Sequence, residues 1–351
     1  METSTPPKAL PKKLGDLRRR SVSVDSQELV RREPLFAHNP LPLKIEPALD
    51  GVNLTAWAEG HRQELEEALL RHGGVLFRGF PVLTVEAFQD LLSRLWGSLL
   101  TYSYRSTPRS DVSGNIYTST EYPADQWIPQ HNEMSYTREW PLKIAFLSLV
   151  VAQEGGATPI ADSRRVYQSL DPAMRDELAR RQVMYVRNYS EALDLPWQAV
   201  FQTDDRAEVE AFCQRAGIEW QWRGPDRLRT VQVCQAVASH PVSGEPVWFN
   251  QAHLFHVSNL PAAVRESLLA AVGEDELPRN TYYGDGAPLE PEVLAEIRRV
   301  YEQESVSFPW QAGDVLLLDN MLASHGRAPF SGSRRVVVGM AQSFSEASPG
   351  A

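Results

Sequence analysis

Short runs of branched and aromatic residues recur along the chain: GVLFRGF (74–80), KIAFLSLVV (143–151), VMYVR (183–187), TVQV (230–233), PVWFN (246–250), DVLLLDN (314–320) and RVVVGMA (335–341). Each is too short for a typical helix core and rich in the residue types that favour a pleated, buried surface, so each reads as a strand. Helical periodicity appears between them, at 56–72, 85–96, 205–216, 261–272 and 290–304. The helices do not alternate regularly with the strands, as a parallel α/β sheet would require. The expected fold is therefore mainly β with helical decoration, a sandwich or barrel. The stretch Ser103–Tyr122 reads as loop with short strands, Glu154-Gly155-Gly156 as a turn, and Ser163 as the cap of a helix through Tyr167 and Leu170.

With 351 residues, no internal repeat and no low-complexity linker after residue 40, a single domain over 31–345 is expected. It would follow a flexible basic arm at 1–30, carrying Lys8, Lys12, Lys13, Arg18, Arg19 and Arg20, and precede a short tail at 346–351. A formal net charge of -10 argues against a nucleic-acid partner, because phosphate recognition needs a concentrated basic face. No run approaches the length of a membrane span, and METSTPPKALPKK lacks the apolar centre of a secretory signal. Cys213 and Cys234 are too few for a disulfide framework and lack the spacing of a structural zinc site. A cytoplasmic location is the expectation.

Among the eight histidines only His131 begins an H-x-[DE] triplet, His131-Asn132-Glu133. On an extended segment, residues two apart project to one side, so an imidazole and a carboxylate can hold one ion. The strand at 143–151 would give that segment a neighbour to pair with. A two-histidine, one-carboxylate set needs one more imidazole and leaves the open positions that oxygen activation by iron(II) requires. His240, His253, His256 and His325 are the candidates. His325 follows DVLLLDNMLAS and precedes a turn through Pro329 and Gly332 that re-enters a strand at Arg334 or Arg335. An arginine returned to such a site suits a free carboxylate, because its planar fork donates two parallel hydrogen bonds.

H-N-E, then L-x-x-x-x-x-x-E-G-G-A-T, then DNMLASHGRAPFSGSRR resemble the taurine dioxygenase and clavaminate synthase-like group of 2-oxoglutarate oxygenases, over roughly residues 70–345. LRRRSVSV, GGVLFRGF, LPWQAVFQTDD, GEPVWFNQAHLFH and DNMLASHGRAPF are similar to the branch associated with nonribosomal peptide synthetases, typified by the syringomycin-pathway aspartyl hydroxylase. The resemblance implies a double-stranded β-helix, a jelly-roll core like that of cupins. It implies iron(II) held by His131, Glu133 and His325, with 2-oxoglutarate and O2 as co-substrates. Thr158 and one of Arg334 and Arg335 would bind 2-oxoglutarate, with the residues leaving the choice of arginine open and a slight lean to Arg334. The substrate would be an amino acid, free or tethered to a peptidyl carrier protein, hydroxylated at an sp3 carbon such as Cβ in natural-product biosynthesis.

Taurine-type enzymes carry a second arginine four residues after the first. Here that position is Val338 or Gly339, which argues against a sulfonate substrate. Glu133, rather than a small residue, favours oxygen transfer over halogenation. Desaturation at the same site, a zinc hydrolase and a non-catalytic binding barrel are the rival readings. His253 and His256 are expected to pack or to line the substrate. Trp220, Trp222, Trp248 and Phe249 are expected in the core, and Arg105, Arg109 and Arg187 in surface ion pairs, with substrate contact as the alternative.

Overall fold

The computed structural model describes residues 29–101, 104, 111–118, 122–191, 194–224 and 226–345. Most of the expected basic arm, the tail, Arg105 and Arg109 lie outside these residues. Eight strands form the larger sheet, in the spatial order Val30–Phe36, Asn39–Pro47, Gly74–Phe77, Val315–Asp319, Glu139–Val150, Arg335–Ser345, Ile116–Thr118 and Asp111–Ser113. Neighbours run antiparallel except the second and third, which are parallel.

The unbroken apolar runs follow from burial on both faces. Ala145, Leu147, Val315, Leu317, Val337 and Ala341 pack with Leu65, Leu69, Phe88, Leu91 and Leu92 of the helices Arg62–His72 and Val85–Trp96. The alternate residues Ile144, Phe146, Leu316, Leu318, Val336, Val338 and Met340 point the other way. They share a core with Ile160 and Ala323 of a three-stranded sheet, Ile128–His131, Ala323–Arg327 and Ile160–Asp162, with Ala323–Arg327 in the middle. These two sheets form the expected jelly-roll core. A third, antiparallel sheet runs in the order Glu219–Trp222, Leu228–Cys234, Val183–Tyr189, Arg279–Tyr283 and has its own aromatic-rich core.

Several expected elements have different limits. The helix at 56–72 is two helices, Leu54–Gly60 and Arg62–His72. Gly60 is a poor helix former, and His61 closes the first helix by stacking on Trp57 and hydrogen-bonding its carbonyl through Nδ1 at 2.7 Å. The strand at 74–80 ends at Phe77, because Arg78 turns to the buried carboxylate of Asp314 at 2.6 Å. Asp162, not Ser163, caps the helix Ser163–Ser169, accepting from the Arg164 N–H at 2.9 Å. Trp248 and Phe249 are fully buried as expected, whereas Trp220 is exposed and Trp222 half-buried. Arg187 is not at the surface: it is buried, with its guanidinium 4.8 Å from the Tyr189 ring and 5.2 Å from that of Tyr104. No helix among the described residues is long and apolar enough to cross a membrane.

A buried charge cluster braces the connection between Val315–Asp319 and Ala323–Arg327. Lys143 Nζ lies 3.1 Å from Asp319 Oδ2 and 2.8 Å from Glu66 Oε2. His240 Nε2 donates to the same Asp319 oxygen at 3.3 Å, while His240 Nδ1 accepts from the Ser243 N–H. Asp319 Oδ1 accepts the N–H groups of Met321 and Leu322 at 3.1 and 3.2 Å. Burial alone would raise the Asp319 pKa; His240 and Lys143 outweigh it and hold the group below the usual carboxylate range. Lys143→Met roughly keeps volume but strips Asp319 of its cation. Urea denaturation at neutral pH should show a loss of about 3–5 kcal/mol, as for other broken buried pairs. A loss within the scatter of surface substitutions would show that the cluster is not structural.

Candidate metal centre

The antiparallel pairing of Ile128–His131 with Ala323–Arg327 sets His131 directly opposite His325. Their ring centroids are 4.4 Å apart at an interplanar angle of 52°. The pairing is close: a Cβ on Gly326 would lie 2.7 Å from the Ile128 carbonyl oxygen, so any side chain there would prise the strands apart. His325 Nε2 stands 3.8 Å from Glu133 Oε2. One donor atom from each of His131, Glu133 and His325 lies within 4.8 Å of the other two, and all three residues are buried. His131 Nδ1 is 2.8 Å from the Pro129 carbonyl oxygen, which fixes the proton on Nδ1 and turns the Nε2 lone pair inward. Two imidazoles and a carboxylate so arranged fit a divalent ion of the iron(II) class.

Glu133 reaches this place by a route the sequence did not indicate. The strand ends at His131, so Glu133 is not presented from an extended segment, and the strand paired with His131 is Ala323–Arg327 rather than Glu139–Val150. A turn follows, with Met134 at φ 57. Asn320 fixes it: its Oδ1 accepts the Glu133 N–H at 2.7 Å, and its Nδ2 donates to the carbonyls of Glu133 and Pro141 at 2.9 and 2.8 Å. Asn132 returns the contact, donating to the Asn320 carbonyl at 2.7 Å and to Ser163 Oγ at 3.0 Å. Gln251 Nε2 donates to the Asn132 carbonyl at 2.8 Å. Nothing in the residue types of Asn132, Asn320 and Gln251 marks them in the sequence. Their only signal was adjacency to the motifs.

The remaining histidines have other tasks. His253 Nε2 donates to the Gln130 carbonyl at 3.0 Å, steadying the strand that carries His131. Burial and then the Arg298 charge push its pKa down to about 3, so the ring is neutral. His256 caps a short 3-10 turn, accepting from the Ser258 N–H at 3.0 Å. His240 belongs to the Asp319 cluster.

Beside the donor set lies a narrow cavity of about 30 Å³, lined by Ile128, His131, Phe146, Thr158, His325, Gly326, Arg327, Arg334, Val336 and Val338. Arg334 faces into it and Arg335 is exposed outside it. Arg334 Nε donates to the Gly156 carbonyl at 2.8 Å and its Nη2 lies 3.5 Å from Thr158 Oγ1. Trp310 Nε1 donates to the same Thr158 oxygen at 3.1 Å. Burial, and then the nearby Arg327 guanidinium, lower the Arg334 pKa to about 10. Two cations in a confined space favour an anionic occupant. Arg327, which donates to the carbonyls of Tyr122 and Gln126 at 2.9 Å each, was also missed. Its place two residues after His325 on one strand was the available clue.

The model of the family described as taurine catabolism dioxygenase TauD, TfdA family, matches residues 37–341. The chain belongs to this family. It is a 2-oxoglutarate-dependent non-haem iron dioxygenase, with iron and 2-oxoglutarate as its cofactors. It is 42% identical over 276 residues to the dapdiamide synthesis protein DdaC of Enterobacter agglomerans, covering 79% of this chain and 84% of that protein. It is 32% identical over 309 residues to a clavaminate synthase-like protein of Arabidopsis thaliana, covering 84% of this chain and 89% of the relative. Its fold resembles that of PvcB from Pseudomonas aeruginosa, with a TM-score of 0.54 and 18% identity over 91% of this chain and 93% of the other.

Because Asn320 grips both main-chain groups of Glu133, Asn320→Asp, which loses the Nδ2 donor, should weaken iron(II) binding by roughly 10–100-fold. Anaerobic iron titration checks this, with circular dichroism to verify folding. A folded variant of unchanged affinity would remove Asn320 from the centre.

Proposed function

We propose that His131, Glu133 and His325 are the iron ligands, that Thr158 and Arg334 hold 2-oxoglutarate, and that the enzyme hydroxylates an sp3 carbon, foremost Cβ, of an amino acid in natural-product biosynthesis. The observation that carries the reading is the buried donor set with the Arg334–Thr158 pair lining the same cavity. The chemistry that a bound iron(II) supplies is dioxygen activation coupled to decarboxylation of 2-oxoglutarate.

The protein's share is placement and exclusion of water. Gly156 holds the Nε edge of Arg334, so the guanidinium meets a terminal carboxylate in a fixed orientation. Phe146, whose ring centroid is 5.0 Å from that of His325, joins Val336, Val338 and Ile128 in an apolar wall. Val338 stands four residues after Arg334, where taurine-type enzymes carry their sulfonate-binding arginine, which favours a substrate other than a sulfonate. DdaC is named for dapdiamide synthesis, and a PvcB structure is described as an Fe, alpha-ketoglutarate dependent oxygenase from an isonitrile synthetic pathway. Both support a biosynthetic role. A carrier-tethered amino acid is the companion form of the substrate, and the cytoplasm the expected compartment.

Mass spectrometry of amino acids incubated with iron(II), 2-oxoglutarate and O2 tests the outcome. A gain of one oxygen matched by succinate supports hydroxylation, and a loss of two hydrogens assigns desaturation instead. Arg334→Ala should raise the KM for 2-oxoglutarate by at least roughly 30-fold, the scale for removing one partner of a buried charged pair. Arg335→Ala should shift it by no more than about twofold. The reverse ranking would transfer the co-substrate contact to Arg335.

A further inference from the structure

We propose that a second, larger cavity is the recognition pocket for the substrate, and that it takes an amino acid or short peptide through an ionised carboxylate on Arg138. This rests on the reading of His131, Glu133 and His325 as the iron ligands.

The cavity measures about 750 Å³, within the ordinary range of small-molecule sites. Its lining includes Met134 and Met340, which tie it to the metal centre. Met134 follows Glu133 directly. Met340 lies two residues beyond Val338 on the same face of the strand Arg335–Ser345, and Val336 and Val338 line the cavity at the metal. One strand repeat, about 7 Å, thus separates the two walls. The cavity at the metal carries Arg334 and Thr158, which the proposed function assigns to the co-substrate. The bulk of the substrate has to lie elsewhere, and the larger cavity adjoins the reacting end.

One polar group in its lining is set for a ligand. Arg138 is half-buried, and its Nε and Nη2 both donate to the Val233 carbonyl, at 3.1 and 2.9 Å. That anchor orients the guanidinium, and no carboxylate among the described residues pairs with it. Gly217, at φ +65, keeps its other edge uncovered: a Cβ there would stand 3.2 Å from Arg138 Nη1. The strand Leu228–Cys234, which lines the cavity through Gln232, thus anchors the cation. Glu139, the carboxylate in the lining, is engaged by the Ser343 hydroxyl at 2.6 Å.

The planar fork of Arg138 suits the carboxyl end of an amino acid or peptide. The cation absent from position 338 is replaced by one farther out, which suits a longer substrate than a small sulfonate. Of the two substrate forms proposed above, the free acid supplies this anion, whereas a carrier thioester formed through that carboxylate does not.

The test titrates N-acetylglycine and N-acetylglycinamide into the iron- and 2-oxoglutarate-loaded protein under anaerobic conditions, by calorimetry. N-acetylglycine should bind saturably, with the amide, which lacks the charge, at least roughly tenfold weaker. Arg138→Gln should weaken N-acetylglycine by at least roughly tenfold and Arg138→Lys by less. Equal binding of acid and amide, or unchanged binding by Arg138→Gln, overturns the proposal. A wild-type protein that takes up no iron refutes the ligand reading instead, whereas an iron-loaded protein that ignores N-acetylglycine refutes the pocket.

Discussion

The antiparallel register that sets His131 against His325 is the constraint on which the centre depends. Side chains directly opposite on neighbouring strands are held close by the backbone ladder, so the two imidazoles are brought together before any ion arrives. A slip of one residue would turn one ring to the other face of the sheet. Gly326 guards that register, since the strands approach too closely for a side chain between His325 and Arg327.

The carboxylate is secured differently. Glu133 sits in a turn, and turns have no ladder to hold them, so side-chain amides do the work. Asn320 grips Glu133, Asn132 grips Asn320, and Gln251 grips Asn132. Asn320 itself follows Asp319, whose buried carboxylate is fixed by Lys143 and His240. A structural charge cluster and the candidate metal donor set are thereby mechanically continuous. Buried polar networks of this kind favour one geometry because every alternative leaves a desolvated group unpaired.

Much of the fold was legible because branched residues in short runs mark strands buried on both faces, as at 143–151 and 335–341. The candidate donors could be named because a strand, a histidine and a returning arginine lie close together in sequence around His325. What was hidden depends on pairing between distant segments. Nothing local indicates that 128–131 pairs with 323–327 rather than with the strand that follows it. Asn132 and Asn320 read as spacers within motifs, yet each makes contacts nearly two hundred residues away. The choice between Arg334 and Arg335 was undecidable from apolar alternation alone. In the fold Arg334 turns to Gly156 and Thr158, while Arg335 stays exposed opposite Val150.

The most direct measurement of the central claim is the equilibrium uptake of iron(II), without oxygen and with 2-oxoglutarate present. The account requires one ion per chain in the wild-type protein. It also requires that His131→Ala, Glu133→Ala and His325→Ala, each verified as folded, fail to hold the ion at concentrations that saturate the parent. A folded variant of any of the three that binds iron with wild-type affinity would contradict it.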